Sequence, residues 1–469
     1  MKELLYQRIA RVITGQIKNG VYVTGDKLPS LRTVCDEFGV SMNTSVQAYL
    51  ELEKNGLIIS RPQSGFYVTF KPGRLKSPKV SRPVISPGSE SVGGLIAKVY
   101  QSLNDKEVTR FSLGVPENEL LPIAKLNKSL VEAMRSLSGG GTAYDEIQGN
   151  YKLRRDVAKY AYNWGGTLTA DDIVTTFGAM NSIALALMSL TERGDVIAVE
   201  SPVYFGILQL AESLGLQVLE LPTHPRTGVD PDALKAVVQK IKVCLLVSNF
   251  NNPLGSCMPD EHKREVVLLL SENGVPLIED DLYGDVYFGN TRPKPCKAFD
   301  EAGTVLWCGS VSKTLAPGYR VGWIAPGKFK EKIVHQKLIH TVSTTSLTQE
   351  AIANFLEVGK YEQHLRYLRN HLHGNSLQFI RAIGDYFPEE IRVTDPQGGF
   401  MLWLELNKKI NTNELYERAM RQNISIAPGR MFSLQEQFTN CLRLSYGQIW
   451  NERIEDKLSV LGKIIKGMM

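Results

Sequence analysis

The chain has 469 residues, of which 43% are apolar and 22% charged, so its length suits two or three globular domains of ordinary composition. No apolar run approaches the roughly 18 residues that cross a bilayer. The N-terminus also lacks the apolar core of a signal peptide, so we expect a cytoplasmic protein with no membrane partner. The net charge of +5 permits a nucleic-acid partner without requiring one. The six cysteines are scattered and no His joins them at metal-ligand spacing, which predicts reduced thiols and no metal site.

Residues 1–70 have the pattern of three helices followed by a β-hairpin. Apolar residues recur at helical spacing, and Ser30 and Ser41 stand where the N-caps of a second and a third helix are expected. Two β-rich segments follow, and residues 63–65 predict the turn between them. This order of elements predicts a winged helix-turn-helix domain.

Such a domain places the N-terminal residues of its recognition helix against base edges in the major groove. Amide side chains can read adenine, hydroxyls can bind a base or a phosphate, and arginines suit phosphates. Residues 1–70 carry eight basic and six acidic side chains, so charge alone does not identify a DNA-binding domain. The candidates for DNA contact are Arg32, Ser41, Asn43, Thr44, Gln47, Arg61 and Ser64.

The segment LPSLRTVCDEFGVSMNTSVQAYLELEKNGLIISRPQSGFYV resembles the GntR-type winged helix. The matching marks are Gly25-Asp26, Leu28-Pro29-Ser30, Arg32, Val40-Ser41, Asn43-Thr44, Ala48-Tyr49, Leu52, Gly56 and Ser64-Gly65. The resemblance implies that the partner is a double-stranded DNA operator. Position 42 departs from the family, which usually has Arg there, and Met42 predicts a different base preference.

Residues 71–92 are rich in Pro, Ser, Gly and basic side chains and have little periodicity, which predicts a linker that its prolines extend. We interpret it as a solvated tether that adds to DNA affinity. A basic arm bound to DNA phosphates is the alternative. Its basic residues, all before the acidic Glu90, are Lys71, Arg74, Lys76, Lys79 and Arg82.

From about residue 110 onward, β-rich segments alternate with helical ones, which predicts an α/β fold with a mostly parallel sheet. We assign residues 93–469 to this second domain. Its large lobe is expected at about 110–345, and a smaller α+β lobe at about 346–469.

Several polar residues that follow predicted strands match the needs of a pyridoxal-phosphate site. Lys313, just after a strand, suits the Schiff-base lysine and later a general acid/base. Asp280 ends another strand and would keep the pyridine nitrogen protonated. The adjacent Asp281 is an alternative for that role.

Other residues match the remaining parts of such a site. Tyr283 and Asn252 would bind the ring's phenolate oxygen, Tyr204 would stack on the ring, and the planar fork of Arg443 suits a substrate carboxylate. A helix N-terminus and polar side chains would hold the phosphate. These cofactor-binding residues are Gly178, Ala179, Met180, Ser310, Ser312 and Arg320.

The order of these motifs resembles that of the fold type I aminotransferases from about residue 110 to the end, and YDEIQGNYKLRRDVAKY, PQGGFMLWLEL and IAPGRMF match as well. The resemblance implies pyridoxal 5'-phosphate as cofactor. It also implies that Tyr144 reaches the cofactor phosphate of a neighbouring subunit, which makes a homodimer with shared active sites. The aspartate-to-tyrosine spacing of these enzymes favours Asp280 over Asp281, although many MocR-like sequences place the tyrosine one residue before the position of Tyr283.

A GntR-type domain joined by a linker to such a domain resembles the MocR subgroup of regulators. The resemblance implies a transcription regulator that senses an amine or amino acid by aldimine formation at Lys313. An aminotransferase with an appended DNA-binding domain is the alternative, because Lys313, Asp280 and Arg443 are all present. The same residues argue against a third possibility, a DNA-binding scaffold that has lost the cofactor.

Overall fold

The computed structural model describes residues 4–61, 64–69, 75–88, 93–101, 105, 107–357 and 359–469. Four residues discussed above, Gln63, Lys71, Arg74 and Glu90, lie outside the described residues. Within these ranges no helix combines the length and the apolar character needed to span a membrane.

The N-terminal head (residues 4–61 and 64–69) contains three helices and an antiparallel hairpin. These elements are α1 (Leu5–Lys18), α2 (Leu31–Phe38), α3 (Met42–Lys54), β1 (Ile58–Arg61) and β2 (Gly65–Val68). Ser30 and Ser41 cap α2 and α3 as predicted, because each hydroxyl accepts a hydrogen bond from the backbone N–H three residues later. The apolar faces of the helices and the hairpin meet in one apolar core. The winged helix-turn-helix plan is thereby confirmed.

The rest of the chain alternates helices and strands. Its helices are α4 (Gly93–Gln101), α5 (Ile123–Ser136), α6 (Tyr151–Ala161), α7 (Ala179–Leu190), α8 (Phe205–Ser213), α9 (Pro231–Lys235), α10 (Asp260–Glu272), α11 (Lys330–Thr341), α12 (Ser346–Glu357), α13 (Lys360–Tyr386), α14 (Thr412–Met420) and α15 (Glu452–Lys466). Its strands are β3 (Thr109–Arg110), β4 (Val174–Thr176), β5 (Val196–Ser201), β6 (Gln217–His224), β7 (Gly228–Val229), β8 (Val243–Leu246), β9 (Leu277–Asp280), β10 (Val305–Ser310), β11 (Gly322–Ala325), β12 (Arg392–Val393), β13 (Met401–Glu405), β14 (Ile424–Ser425), β15 (Ala427–Pro428) and β16 (Cys441–Ser445).

An eight-stranded sheet of order β4-β11-β10-β9-β8-β5-β6-β7 forms the centre of this part. The five neighbouring strands β10, β9, β8, β5 and β6 are mutually parallel, and antiparallel pairs occur only towards the two edges. The central strands are almost entirely buried, as expected where helices cover both faces of a parallel sheet. The predicted α/β class is confirmed, and the carboxyl ends of five strands meet at one edge, where such sheets bind ligands.

A second, antiparallel sheet of order β12-β13-β16-β15 forms the smaller lobe together with α14 and α15. The short strand β14 of this lobe pairs in parallel with β3, which precedes the large sheet in sequence. One element differs from expectation. Helix α12, expected in the smaller lobe, packs on α5 and α6 beside the large sheet, because its buried face carries Ile352 and Phe355.

The head packs directly on α13. Leu377 of α13 is buried within the apolar core of the head, and the side chain of Gln378 donates a hydrogen bond of 2.6 Å to the carbonyl of Lys54 at the end of α3. Gly56 lies so close to Gln378 that a Cβ there would come within 2.7 Å of its side-chain carbon. The head and the longest described helix of the second domain therefore share an interface.

The described part of the linker, residues 75–88, is a strap hydrogen-bonded to both lobes rather than a solvated tether. Its carbonyl at Lys76 accepts from the backbone of Val393 (2.8 Å), and its Ser81 hydroxyl accepts from the backbone of Thr223 (2.8 Å). The Gln435 side chain holds both the N–H and the carbonyl of Val84 (2.8 and 2.9 Å). An extended backbone makes no hydrogen bonds within itself. Neighbouring strands and side chains therefore provide the hydrogen-bond partners of its N–H and carbonyl groups.

Candidate active site

A cavity of about 180 Å³ lies where β5, β8, β9 and β10 end. Nine of the eleven residues that line it are predicted cofactor-binding residues, and Val247 and Leu282 complete the wall. The nine are Ala179, Met180, Tyr204, Asn252, Asp280, Tyr283, Ser312, Lys313 and Arg320. The structure thus brings together side chains that are up to 141 positions apart in the sequence.

Lys313 follows β10 and lies in the cavity with its amine buried. Its Nζ donates a hydrogen bond to the carbonyl of Gly114. Burial, followed by the nearby charge of Arg443, lowers the pKa of Lys313 to about 8, although the Asp280 carboxylate opposes this. An appreciable fraction of the amine is therefore neutral near physiological pH, which is the state that a nucleophilic lysine requires.

Asp280 is the last residue of β9, and its side chain is buried in the cavity wall. Its Oδ1 has no hydrogen-bond partner among the described residues. Burial, followed by the charge of Asp281, raises the pKa of Asp280 to about 7. A buried carboxylate without a partner is unfavourable unless a donor or a cation meets it, and a protonated ring nitrogen would do so.

The neighbouring Asp281 points away from the cavity and has several partners. It accepts hydrogen bonds from the side chains of Asn249 (2.9 Å), Trp307 (2.9 Å) and Arg292 (2.5 Å). Because these donors satisfy its carboxylate, the geometry favours Asp280 for the role facing a ring nitrogen.

The N-terminus of α7 opens into the cavity beside Arg320. Gly178 is the N-cap residue, with a φ of 94°, and a Cβ there would come within 2.8 Å of the Arg320 guanidinium. Arg320 donates a hydrogen bond of 2.8 Å to the carbonyl of Phe177. Only glycine allows the backbone and the guanidinium to approach so closely. The backbone N–H groups at the start of α7 and the Arg320 guanidinium together form a site for an anion such as a phosphate.

Ser310 and Ser312 play different parts in the same turn. Ser312 lines the cavity, whereas Ser310 does not. The Ser310 hydroxyl donates to the carbonyl of Val321 (2.8 Å) and accepts from the backbone N–H of Ser312 (3.0 Å). Ser310 therefore shapes the turn that carries Lys313 instead of lining the cavity itself.

Asn252, Tyr283 and Arg443 form a hydrogen-bonded row on one side of the cavity. Asn252 donates to the Tyr283 hydroxyl (3.4 Å), and Arg443 donates to the Asn252 side-chain oxygen (2.9 Å). The amide and the phenol both line the cavity, which is compatible with binding a ring oxygen. Tyr204 also lines it, at the N-cap of α8.

Arg443 is a buried guanidinium without a carboxylate partner in the part of the chain that the structure describes. Besides Asn252, it donates to the carbonyl of Ser112, and its Nε has no partner. Burial is the main influence on the pKa of Arg443 and lowers it. A buried cation in this state is suited to an anionic ligand that forms two parallel hydrogen bonds.

Tyr144 lies elsewhere. Its side chain is 86% exposed, and it does not line the cavity of its own chain. Its predicted contact with the cofactor of another subunit stays a prediction.

The recognition helix α3 presents amide side chains to solvent. Asn43 and Gln47 are exposed on its first turns, and Met42 is 44% exposed beside them. The hydroxyls of Ser41 and Thr44 lie 2.9 Å apart and bond each other while Ser41 caps the helix. Asn43 and Gln47 are therefore freer to read bases than the two hydroxyls.

The remaining DNA candidates lie around this helix. Arg32 is exposed on α2, and the Arg61 guanidinium lies 4.3 Å from the centre of the Tyr67 ring. The Ser64 hydroxyl lies 2.6 Å from that of Tyr67. The wing thus holds its arginine on an aromatic ring near the tip of the hairpin.

Two family models match the chain in separate segments. Residues 5–68 match the bacterial regulatory proteins of the gntR family, and residues 106–459 match the aminotransferases of class I and II. The HTH-type transcriptional regulator YdcR of Escherichia coli (strain K12) is 38% identical over 98% of this chain and 99% of its own length. YjiR of the same organism is 35% identical over 98% of each. The chain belongs to the MocR-type transcription regulators.

Solved aminotransferases share the fold of the second domain of this MocR-type regulator. The kynurenine aminotransferase of Pyrococcus horikoshii, solved with PMP, has a TM-score of 0.74 and 25% identity, over 80% of this chain and 96% of its own. LysN, the α-aminoadipate aminotransferase of Thermus thermophilus, was solved with N-(5'-phosphopyridoxyl)-L-leucine and has a TM-score of 0.72 and 26% identity, over 81% and 99%. The cavity fits pyridoxal phosphate, because it combines the buried Lys313 amine, the unpartnered Asp280 oxygen and the anion-binding turn at Gly178.

One residue of the MocR-type site had no signal in the sequence. Gly114 accepts the hydrogen bond of Lys313 through its backbone carbonyl. It does not lie in a recognisable motif or follow a strand of the large sheet, so only the packing of the chain brings it to the site.

Proposed function

We propose that this regulator binds an operator with its head and senses an amino acid or amine with pyridoxal 5'-phosphate held at Lys313. The observation that carries the proposal is the pairing of a buried Lys313 amine with an unpartnered Asp280 oxygen in one cavity, in a chain whose head exposes Asn43 and Gln47. Bound pyridoxal phosphate supplies an aldehyde carbon that reacts with amines and a ring that withdraws electrons.

The residues of the cavity divide the work of holding the cofactor. Lys313 would hold it covalently, and Asp280 would accept a hydrogen bond from the protonated ring nitrogen. Tyr283 and Asn252 would donate to the ring oxygen, and Tyr204 would cover the ring. The turn of Gly178, Ala179 and Met180 would bind the phosphate together with Ser312 and Arg320. Ser310 would hold the backbone of Ser312 in place through its hydrogen bond to the Ser312 N–H.

Arg443 would bind the carboxylate of the ligand. Its forked guanidinium has an unpartnered Nε, and it sits beside Asn252 at the edge of the cavity. Lys313, with a pKa near 8, can hold or release a proton close to the ligand. A ligand bound in this way changes operator binding only if it prefers one of two arrangements of the heads.

We further propose a homodimer with shared sites. Tyr144 is 86% exposed, and exposed apolar side chains, Ile123, Val131, Met134 and Tyr151, occur on α5 and α6 around it in sequence. An exposed apolar set of this kind is typical of a surface that another subunit covers. In the dimer Tyr144 would donate to the phosphate in the partner subunit's cavity.

In the head, Asn43 and Gln47 would read bases, and Arg32, Arg61 and the hydroxyls of Ser41, Thr44 and Ser64 would bind the DNA backbone. The proposed domain boundaries are 1–70 for the head, 71–92 for the linker and 93–469 for the cofactor-binding domain. A bacterial regulator with an operator works where the chromosome is, in the cytoplasm.

Transamination is a second candidate function, and the buried Lys313 favours it. A lysine with a pKa of about 8, close to the Arg443 guanidinium that would bind the ligand carboxylate, is equipped for proton transfer. Both functions can coexist in one chain. Release of a keto acid with conversion of the cofactor to its pyridoxamine form would support the enzyme, and a stable spectral change with altered operator affinity would support the sensor.

The test uses the purified full chain loaded with pyridoxal phosphate. Amino acids and amines are added one at a time, cofactor absorbance is followed, and each ligand that changes it is then tested for its effect on binding to a duplex selected from random sequences. We expect Lys313→Ala to abolish the spectral response and the effect on DNA affinity, and Lys332→Ala, an exposed lysine of α11, to keep both. Retention of both responses in Lys313→Ala would overturn the assignment.

A further inference from the structure

Helix α13 contacts the turn that carries Lys313. Thr314, the next residue, is buried, and its hydroxyl lies 2.9 Å from the hydroxyl of Tyr361 at the start of α13. The carbonyl of Thr314 accepts a hydrogen bond of 2.6 Å from Nε2 of His364, about one turn further along the helix. Because α13 holds both the side chain and the backbone of Thr314, any shift of this turn acts on the helix.

The hydroxyl of Tyr361 also reaches the loop that follows β9. It donates a hydrogen bond of 3.0 Å to Oδ2 of Asp285, since a carboxylate can only accept, and the Thr314 hydroxyl therefore donates to Tyr361. Asp285 lies two residues after Tyr283, and its backbone carbonyl accepts from Nε of Arg369, two turns along α13 (2.7 Å). One buried hydroxyl thus joins two segments that carry cofactor-binding residues.

Further along its length, α13 carries the head. A Cβ on Gly374 would come within 2.5 Å of the side-chain oxygen of Asn55, at the end of α3. Leu377 is buried in the apolar core of the head, and Gln378 donates to the carbonyl of Lys54. An unbroken helix of 27 residues, about 40 Å long, joins these contacts to those of its first turns. All of them lie within one chain, and a rigid helix transmits a shift from one set to the other.

We propose that Tyr361 is a positioning residue that couples the cavity to the head. Its hydroxyl holds the Lys313 turn against α13. A ligand that changes what Lys313 binds shifts this turn, the helix and the head that the helix carries. Operator affinity changes because the ligand favours one of two positions of α13. This inference rests on the proposed function, since it names how the same site regulates DNA binding.

The experiment uses the cofactor-loaded full chain and aminooxyacetate as the probe. The aminooxy group replaces the Lys313 amine at the aldehyde carbon of the cofactor and returns that amine to its free form, and the carboxylate suits Arg443. Cofactor absorbance reports the replacement. Affinity for a duplex selected from random sequences is measured with and without the probe. For the unchanged chain we expect the two affinities to differ by about fivefold or more, as is typical of coupled sites.

Two variants remove the hydrogen bond from its two ends. Tyr361→Phe and Thr314→Val each keep the shape of the side chain and lose the hydroxyl. Both should keep the absorbance response, whereas the probe should no longer change their operator affinity. The double variant should match either single one, because the two changes remove the same bond. Tyr367→Phe, which changes a tyrosine of the same helix that is 45% exposed, is the matched control and should behave as the unchanged chain.

The ratio of the two affinities separates coupling from stability. A purely structural role of Tyr361 would lower the affinities with and without the probe alike, so a ratio that persists in both variants overturns the inference while the proposed function stands. Loss of the ratio in only one of the two variants, or loss of the absorbance response in Tyr361→Phe, would also overturn it.

The unchanged chain distinguishes this inference from the proposed function. If aminooxyacetate changes the absorbance of the unchanged chain but leaves its operator affinity as it was, the inference about Tyr361 is wrong and the cofactor assignment stands. If aminooxyacetate does not change the absorbance, Lys313 does not hold the cofactor and the proposed function itself fails.

Discussion

Arg292 donates a hydrogen bond of 2.5 Å from its guanidinium to Oδ2 of Asp281, and neither residue lines the cavity that contains Lys313. The same guanidinium also bonds Asp285 at 2.7 Å, and both partners of the Asp281 pair are buried. Asp280, one position earlier, has an oxygen without a partner among the described residues. Two adjacent carboxylates thus lie in different surroundings, because alternate residues of a strand and its continuation point to opposite sides.

The first prediction concerns Asp281. Asp281→Asn should lower the free energy of unfolding by about 3 kcal/mol, because it leaves the buried Arg292 with only one carboxylate partner. Urea denaturation of the full chain measures the change. The cofactor absorbance of the loaded variant should match that of the unchanged chain, and an altered spectrum with unchanged stability would contradict this division of roles.

Asp280→Asn should weaken cofactor binding without lowering the free energy of unfolding. The loaded variant should lose its cofactor faster on dialysis, because an amide cannot keep the ring nitrogen protonated. In the cofactor-free chain the pKa of Asp280 is about 7, raised from 3.8, so the folded state binds more protons than the unfolded state between these values. The unchanged chain therefore loses stability as pH rises from about 4 to 7.

The Asn variant lacks this titration. It should be the more stable protein above pH 7, by a difference on the order of a few kcal/mol, and the two should converge near pH 4. Urea denaturation of both cofactor-free proteins across this pH range is the measurement. A constant difference between the two curves would show that Asp280 does not titrate as described.

Much of the site could be predicted because its residues directly follow buried strands. Asp280 ends β9, Gly178 precedes α7, and Lys313 follows β10, and a short apolar run before each residue shows its place at the sheet edge. The carboxyl ends of parallel strands meet in space, so these positions converge whatever the details of packing. The head was predictable for a similar reason, since Ser30 and Ser41 are local caps.

Other contacts could not be predicted because they depend on how distant elements pack. The carbonyl of Gly114 meets Lys313 from a segment that precedes the large sheet in the sequence, and Arg292 meets Asp281 through a loop without any motif. The linker is another case. Its composition predicts an extended backbone, but the partners of that backbone, such as Thr223 and Gln435, are set by the surface it crosses.

The strap leads to a prediction about Gln435. Gln435→Ala should speed hydrogen exchange of the Val84 amide about fivefold, because that N–H donates to the Gln435 side-chain oxygen and a lost hydrogen bond costs about 1 kcal/mol. Exchange monitored by mass spectrometry measures this. Gln422→Ala, which changes an exposed glutamine away from the strap, should leave the Val84 amide unaffected. If the Val84 amide of the unchanged chain already exchanges like a free peptide, the strap is not docked in solution.

The interface between the head and α13 gives a prediction for Leu377. Leu377→Ala removes a side chain that is 3% exposed within the core of the head, which costs about 2–5 kcal/mol for a buried leucine. We expect the head to unfold in a separate transition at lower temperature, visible by calorimetry. Leu377→Met, which nearly conserves volume, should keep a coupled transition. Identical thermograms for the Ala variant and the unchanged chain would contradict docking.

Lys337 of α11 gives a prediction with a defined dependence on pH. Its side chain is fully buried, with a hydrogen bond of 3.3 Å from Nζ to the Thr175 hydroxyl. Burial lowers its pKa from 10.5 to about 7, while the charge of Asp145 opposes this and that of Arg154 adds to it. Between pH 7 and 10.5 the folded state therefore binds fewer protons than the unfolded state, so the free energy of unfolding rises with pH.

Lys337→Met should abolish this slope, since methionine fills similar space without a charge. The variant should be more stable than the unchanged chain at pH 7, by an amount on the order of a few kcal/mol, and the difference should shrink towards pH 10. Urea denaturation of both proteins between pH 6.5 and 10 measures it, with Lys332→Met on the exposed side of the same helix as control. A difference that stays constant with pH would mean that Lys337 remains charged throughout and that neighbouring groups compensate for its burial.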